Sequence, residues 1–176
     1  SAVYSHDGSM VVTASEDTTA KIWNASTGEC TMTLRGHTDI LCSAVFSHGG
    51  DVLTDSEDCT AKLWNAVTGH LLQTFTGHTH YVISAVSSKH GPWGEHGASV
   101  VTASADGTAK LWNAVTGECT MTLKHDGWVI SAVFSLDIVL TVTDNGTAKI
   151  WNLFTDDCIR TFDRASDGIF MSAMLA

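Results

Sequence analysis

Proline is almost missing from this 176-residue chain: there is one, Pro92, beside 15 glycines. That excludes collagen-like and proline-rich architectures. Positive charge is scarce too. Nine Lys and Arg face nineteen Asp and Glu, for a formal net charge of −10. A groove that grips phosphates needs clustered cations, so neither nucleic acid nor an anionic membrane is expected as a direct partner. No apolar run is long enough to span a bilayer. No secretion signal opens the sequence, but the first residues lie inside a repeating unit and carry little weight on targeting. CxxC spacing is absent, and the cysteines are odd in number: Cys30, Cys42, Cys59, Cys119 and Cys158. Neither a disulfide framework nor a zinc cage is expected, and a reducing, cytoplasmic setting fits. Cys30, Cys119 and Cys158 recur at one point of the repeat, which suggests small apolar packing residues. With 44% hydrophobic and 16% charged residues, the chain has the composition of a packed domain.

What is present in quantity is internal repetition. Ser43-Ala44-Val45 returns as Ser84-Ala85-Val86 and Ser131-Ala132-Val133; Ser1-Ala2-Val3 opens the chain and Ser172-Ala173-Met174 lies near its end. Ala-Lys-Ile/Leu-Trp-Asn ends at Asn24, Asn65, Asn113 and Asn152, and its tryptophans are 41, 48 and 39 residues apart. Each unit reads as four short strands. The first is apolar (Ile40 to Ser47 and its copies) and is expected nearest an axis. The second is rich in β-branched residues (Val11 to Ser15, Val52 to Ser56, Val100 to Ser104, Val139 to Thr143). The third ends in the tryptophan. The fourth is clearest at Cys30-Thr31-Met32-Thr33-Leu34, a period-2 alternation. Asp-Gly, Thr-Gly and Asn-Gly pairs punctuate the units, and no stretch holds a helical period.

Gly36-His37 and Gly77-His78, each followed by a strand and later by Lys-x-Trp-Asn, resemble the WD40 repeat over essentially the whole chain. The resemblance implies an all-β propeller of four-stranded blades set radially around a channel. The units run approximately 1–34, 35–75, 76–123 and 124–162, with a partial unit at 163–176 and an insertion at 89–97. Two departures stand out. The closing dipeptide is Trp-Asn instead of Trp-Asp, and Lys124-His125 lacks the glycine of the Gly-His pair.

The resemblance also implies a buried chain of His, Ser or Thr, Asp and Trp in each blade. The matching sets are His37, Thr54, Asp58, Trp64 and His78, Thr102, Asp106, Trp112. The last blade offers His125, Thr141 and Trp151 with Asn145 in the Asp position; the first offers Thr13, Asp17 and Trp23. Donors and acceptors match: the indole N–H donates to the hydroxyl, the hydroxyl to one imidazole nitrogen, and the other nitrogen to the carboxylate. Hydroxyl, His and Asp in that order also resemble a hydrolase triad. Recurrence once per unit favours a structural role, since a catalytic site is usually unique and open to a cleft. Asn145 can accept a hydrogen bond but cannot hold an imidazolium, so that blade should be weaker.

The loop carrying the His and the turn carrying the Asp should share one face, the top, where partners of this family often dock. Three residues after each His stand Ile40, Tyr81 and Trp128, with Ile169 at the corresponding place in the partial unit. They are either partner anchors or seals between blade rims. Glu16, Glu57 and Asp144 precede the turn residue of each network, and Ala105 interrupts that acidic series. An acidic rim with aromatic anchors would favour a basic peptide or protein patch; ordinary solvated turn charge is the alternative. The insertion, on the opposite face, holds Trp93 and is a candidate partner contact. Its His90, Glu95 and His96 match no metal cage, so no metal and no cofactor are expected. Lys21, Lys62, Lys110 and Lys149 precede each Trp by two, which favours packing or cation–π contact within the blade. Asp55 stands where other units have Ala14, Ala103 and Val142, and marks either a functional position or an imperfect blade.

Seventeen strands are counted, four blades plus one extra strand. The chain is then expected to be a segment of a longer propeller, with a two-chain ring, closed by a homodimer, or a self-closed ring as alternatives. The functional expectation is a non-enzymatic protein–protein interaction scaffold. The alternatives are an architectural part of a large assembly and, further off, an enzyme using the propeller channel.

Overall fold

A computed structural model describes residues 1–88 and 99–163. Its described residues form sixteen strands in four antiparallel four-stranded sheets, with no helix. The first sheet is β1 (Ala2–Tyr4), β2 (Met10–Ala14), β3 (Ala20–Asn24) and β4 (Cys30–Leu34). The second is β5 (Leu41–Phe46), β6 (Val52–Ser56), β7 (Thr60–Trp64) and β8 (Leu71–Thr76). The third is β9 (Val82–Ser88), β10 (Ser99–Ser104), β11 (Thr108–Asn113) and β12 (Cys119–Lys124). The fourth is β13 (Val129–Ser135), β14 (Ile138–Thr143), β15 (Ala148–Asn152) and β16 (Cys158–Phe162). Strands follow chain order within each sheet, as short Gly-marked turns require. The partial unit at 163–176, with Ile169, and the insertion, with Trp93, His90, Glu95 and His96, lie outside the described residues.

The first strands of successive sheets touch, β1 to β5, β5 to β9 and β9 to β13, so they line the inside of an arc of four blades. The sheets do not close into a ring among the described residues. A sheet has two faces, and both are apolar here, so the core is divided among the seams between blades. Val12, Ala20, Ile22 and Leu34 meet Leu41, Ala44, Val52 and Trp64 at the first seam. Leu53, Ala61 and Phe75 meet Val82, Ala85, Val100 and Trp112 at the second. Val101, Leu111 and Leu123 meet Val129, Ala132, Val139 and Trp151 at the third. Burial on both faces explains why every residue of β6 and of β10 is buried, and why neither sequence alternates cleanly between apolar and polar residues. At the outer side of the last sheet β16 is exposed along its length.

Candidate functional site

Four backbone turns bring the candidate residues to one end of the arc. In the second blade the loop before β5 meets the β6–β7 turn: Asp58 accepts from His37 Nδ1 at 2.7 Å and from the Thr38 amide at 3.0 Å. His37 Nε2 meets Thr54 Oγ1 at 2.8 Å, and the Trp64 indole donates to that same oxygen at 2.8 Å. The third blade repeats the chain: His78 Nδ1 to Asp106 at 2.7 Å, Nε2 to Thr102 at 2.7 Å, and the Trp112 indole to Thr102 at 2.9 Å. Sequence reasoning missed Thr60 and Thr108. Their hydroxyls donate at 2.6 Å to the other oxygen of Asp58 and Asp106, so each carboxylate fastens both its own turn and the histidine. A Thr two residues beyond each Asp was the available signal.

Burial pulls both His37 and His78 below the ordinary imidazole range, against the pull of their aspartates. Burial also presses Asp58 and Asp106 upward, but the hydrogen bonds from Thr60 or Thr108, from the histidine and from the loop amide win and hold them low. The pairs are therefore neutral imidazole on carboxylate at neutral pH. As a triad they lack access: Thr54 and Thr102 are fully buried and the indole already occupies their oxygen.

The first and fourth blades differ from this pattern. In the first, the Trp23 indole donates to Thr13 at 3.0 Å and Asp17 binds Thr19; the position matching the histidine falls before residue 1. In the fourth, His125 Nε2 meets Thr141 at 2.7 Å and the Trp151 indole donates to Thr141 at 2.9 Å. Asn145 does not complete that chain. Its oxygen is taken by the Thr143 hydroxyl at 2.6 Å and the Thr147 amide, which leaves His125 Nδ1 buried without a partner. Burial, with the Lys149 charge added, outweighs the opposing pull of the Leu123 backbone and the Asp126 carboxylate and takes His125 down to about 4.

The lysines stay within their own blades: among the described residues Lys149 stacks on its tryptophan, 5.5 Å from the Trp151 ring, while Lys21, Lys62 and Lys110 donate to Thr33, Thr74 and Thr122 on the outer strand. One further expectation needs correction. Cys30, Cys119 and Cys158 do not pack in the core. They begin the outer strands and are exposed.

The same end of the arc carries the anchor candidates. The Glu57 amide bonds the Ile40 carbonyl, Ala105 bonds Tyr81, and Asp144 bonds Trp128. The backbone of each anchor residue is thus tied to the residue that precedes the network turn of its own blade, which is acidic in the second and fourth blades and Ala105 in the third. Ile40 is half-buried, whereas Tyr81 is 40% and Trp128 52% exposed. His80, which sequence reasoning passed over, joins them: its ring lies 4.2 Å from Tyr81 and 6.1 Å from Trp128. Asp144 packs so close to Gly127 that a side chain there would collide with its carboxylate. Glu16 and Asp144 are exposed, and Glu57 is half-buried. The result is a connected aromatic surface across the third and fourth blades with carboxylates on the second and fourth. Among the described residues no three His, Cys, Asp or Glu side chains converge as a metal site.

The asparagine after each tryptophan has a different task, at the opposite end. The oxygens of Asn24, Asn65, Asn113 and Asn152 each accept two backbone amides of the following turn. A carboxylate offers the same oxygen, so Asn for Asp preserves the turn.

A protein-family comparison agrees with this architecture: the model for the WD domain, G-beta repeat, matches residues 1–24, 28–65, 69–113 and 117–152.

Proposed function

Because the chain belongs to the WD40-repeat family, we propose that it is a non-catalytic protein-binding module whose top face receives a basic segment of a partner protein. WD40 repeats are in general protein-interaction modules. The observation that carries the finer reading is the exposed Tyr81–His80–Trp128 cluster. Monomeric surfaces seldom leave connected aromatics uncovered, and aromatic anchors dominate binding energy where they occur. Asp144 next to Trp128 and Glu57 next to Ile40 on the second blade, with a net charge of −10, favour Arg or Lys over an acidic ligand. A guanidinium can lie on the Trp128 face while a neighbouring carboxylate accepts its N–H groups. The five free cysteines suit an intracellular compartment.

The test is fluorescence anisotropy with labelled Arg- and Lys-rich peptides against acidic peptides of equal length. Basic peptides should bind preferentially, and Trp128→Ala and Tyr81→Ala should each weaken them by roughly tenfold, the ~1.4 kcal/mol of a single good anchor. Equal binding of both peptide classes, or variants that bind as the wild type does, would overturn the reading. An architectural role in a larger assembly is the second reading. It draws on the outer faces: Phe162 and Ile159 are 44% and 54% exposed, and Trp23 is half-buried where Trp64 and Trp112 are covered. Remaining blades of a longer chain, or a second copy, would cover those faces. Fixed-stoichiometry co-purification would favour it over a transient contact.

A further inference from the structure

Asp55 is the one carboxylate wholly inside a seam among the described residues. It lies on β6, fully buried, and its side of the sheet faces β9 of the third blade. The equivalent positions hold Ala14, Ala103 and Val142, so the fold does not require a polar group there. One oxygen of Asp55 accepts from the Ser43 hydroxyl at 2.5 Å; the other, Oδ2, is buried with no hydrogen-bond partner. The first seam shows what this arrangement replaces. There the Ala44 amide donates across the seam to Ser1 Oγ at 3.3 Å. Ser43 and Ala85 are the matching pair one blade on, but the Ser43 hydroxyl has turned to Asp55, whose carboxyl interacts with the Ala85 amide. A carboxyl has taken over a bridge that a hydroxyl makes at the first seam.

No cation compensates it. On β5 the only titratable group is Cys42, and on β9 there is none. On β7 the one charge, Lys62, pairs opposite Thr54 and is turned to Thr74 Oγ1. The next charges along the chain, Glu57 and Asp58, are acidic. The geometry points to a proton-coupled joint: Asp55 is neutral while the second and third blades are packed, ionises when their seam opens, and so lets acid tighten the seam. Burial, opposed only weakly by Ser43 and the Ala85 amide, pushes its carboxyl up to about 7 from an ordinary 3.8. Closing the seam therefore takes up a proton between those two values. Opening becomes more favourable as pH rises through that window and levels off above it. Ile40 and Tyr81 stand on opposite sides of this seam, but the joint does not depend on what docks there.

Hydrogen exchange of the chain at pH 5 and pH 7.5, corrected for intrinsic rates, tests it. Amides of β6 and β9 should lose protection ~tenfold or more on going to pH 7.5, while β14 and β15 change little. Asp55→Asn, and Asp55→Ala as a second variant should the first fold poorly, should abolish the difference. An unchanged pH response in a folded variant, or equal loss at all seams in the wild type, would overturn the proposal.

Discussion

Thr54 does more than its size suggests. Its oxygen accepts the Trp64 indole while its proton goes to His37, so one hydroxyl satisfies two buried groups. Thr54→Val keeps the shape and strands both. With about 1–3 kcal/mol for each unsatisfied group, the variant should lose roughly 2–4 kcal/mol, measured by urea unfolding. The fourth blade presents the reverse case. His125 lacks an acceptor at Nδ1 and titrates at about 4 in the folded chain, against an ordinary 6.5. The unfolded chain thus binds the extra proton first. Stability present above pH 6.5 is lost as pH falls through that window to about 4. Asn145→Asp supplies the missing acceptor. It should raise the melting temperature at pH 7 by a few degrees and shrink the drop between pH 7 and pH 5. The Asn for Asp exchange was legible as a weaker blade, but the partner that Asn145 takes in place of His125 was not. Thr143 and Thr147 compete for its oxygen through backbone geometry that no spacing rule shows.

Turns between β-strands here demand a left-handed residue at fixed positions. Between the second and third strands that position is Thr18 (φ 70°), Cys59 (φ 67°), Gly107 (φ 79°) and Gly146 (φ 85°). Glycine accepts this conformation freely, and β-branched Thr pays most for it. Thr18→Gly should therefore stabilise the first blade by about 0.5 kcal/mol, after the added freedom of the unfolded chain is deducted. A melting temperature that falls would show that the Thr18 side chain makes a contact worth more than the strain. The strands themselves were readable, because β-branched runs and paired turn residues recur in every unit. Their inner limits were less so. Ile40 reads as strand but lies in the loop, where its carbonyl accepts the Glu57 amide.

At the scale of the molecule, charge and shape act together. The net charge of −10 sets up a long-range field, while the aromatic cluster acts only on contact. Association with a basic partner should therefore slow ~tenfold as ionic strength rises from about 20 mM to about 500 mM, with dissociation little changed. Stopped-flow kinetics would separate the two, and a salt-insensitive on-rate would assign binding to the aromatic contact alone. Division of the core among seams gives each blade only its neighbours to lean on. Local changes such as protonation of Asp55 can then act on one seam without dissolving the rest.

Repetition allowed the sequence by itself to determine the all-β class, the blade unit, its turns and the members of the His–Thr–Asp chains. A pattern repeated four times averages out local ambiguity, and hydrogen-bond chemistry dictates which residue types can share a buried site. Only the tertiary structure decided what depends on the meeting of distant segments. It joined His80 to Trp128 across two blades, turned the lysines to threonines, left the recurrent cysteines exposed and sealed Asp55 into a seam. Those outcomes follow from side-chain direction and from the face a neighbouring sheet presents, which chain spacing does not encode.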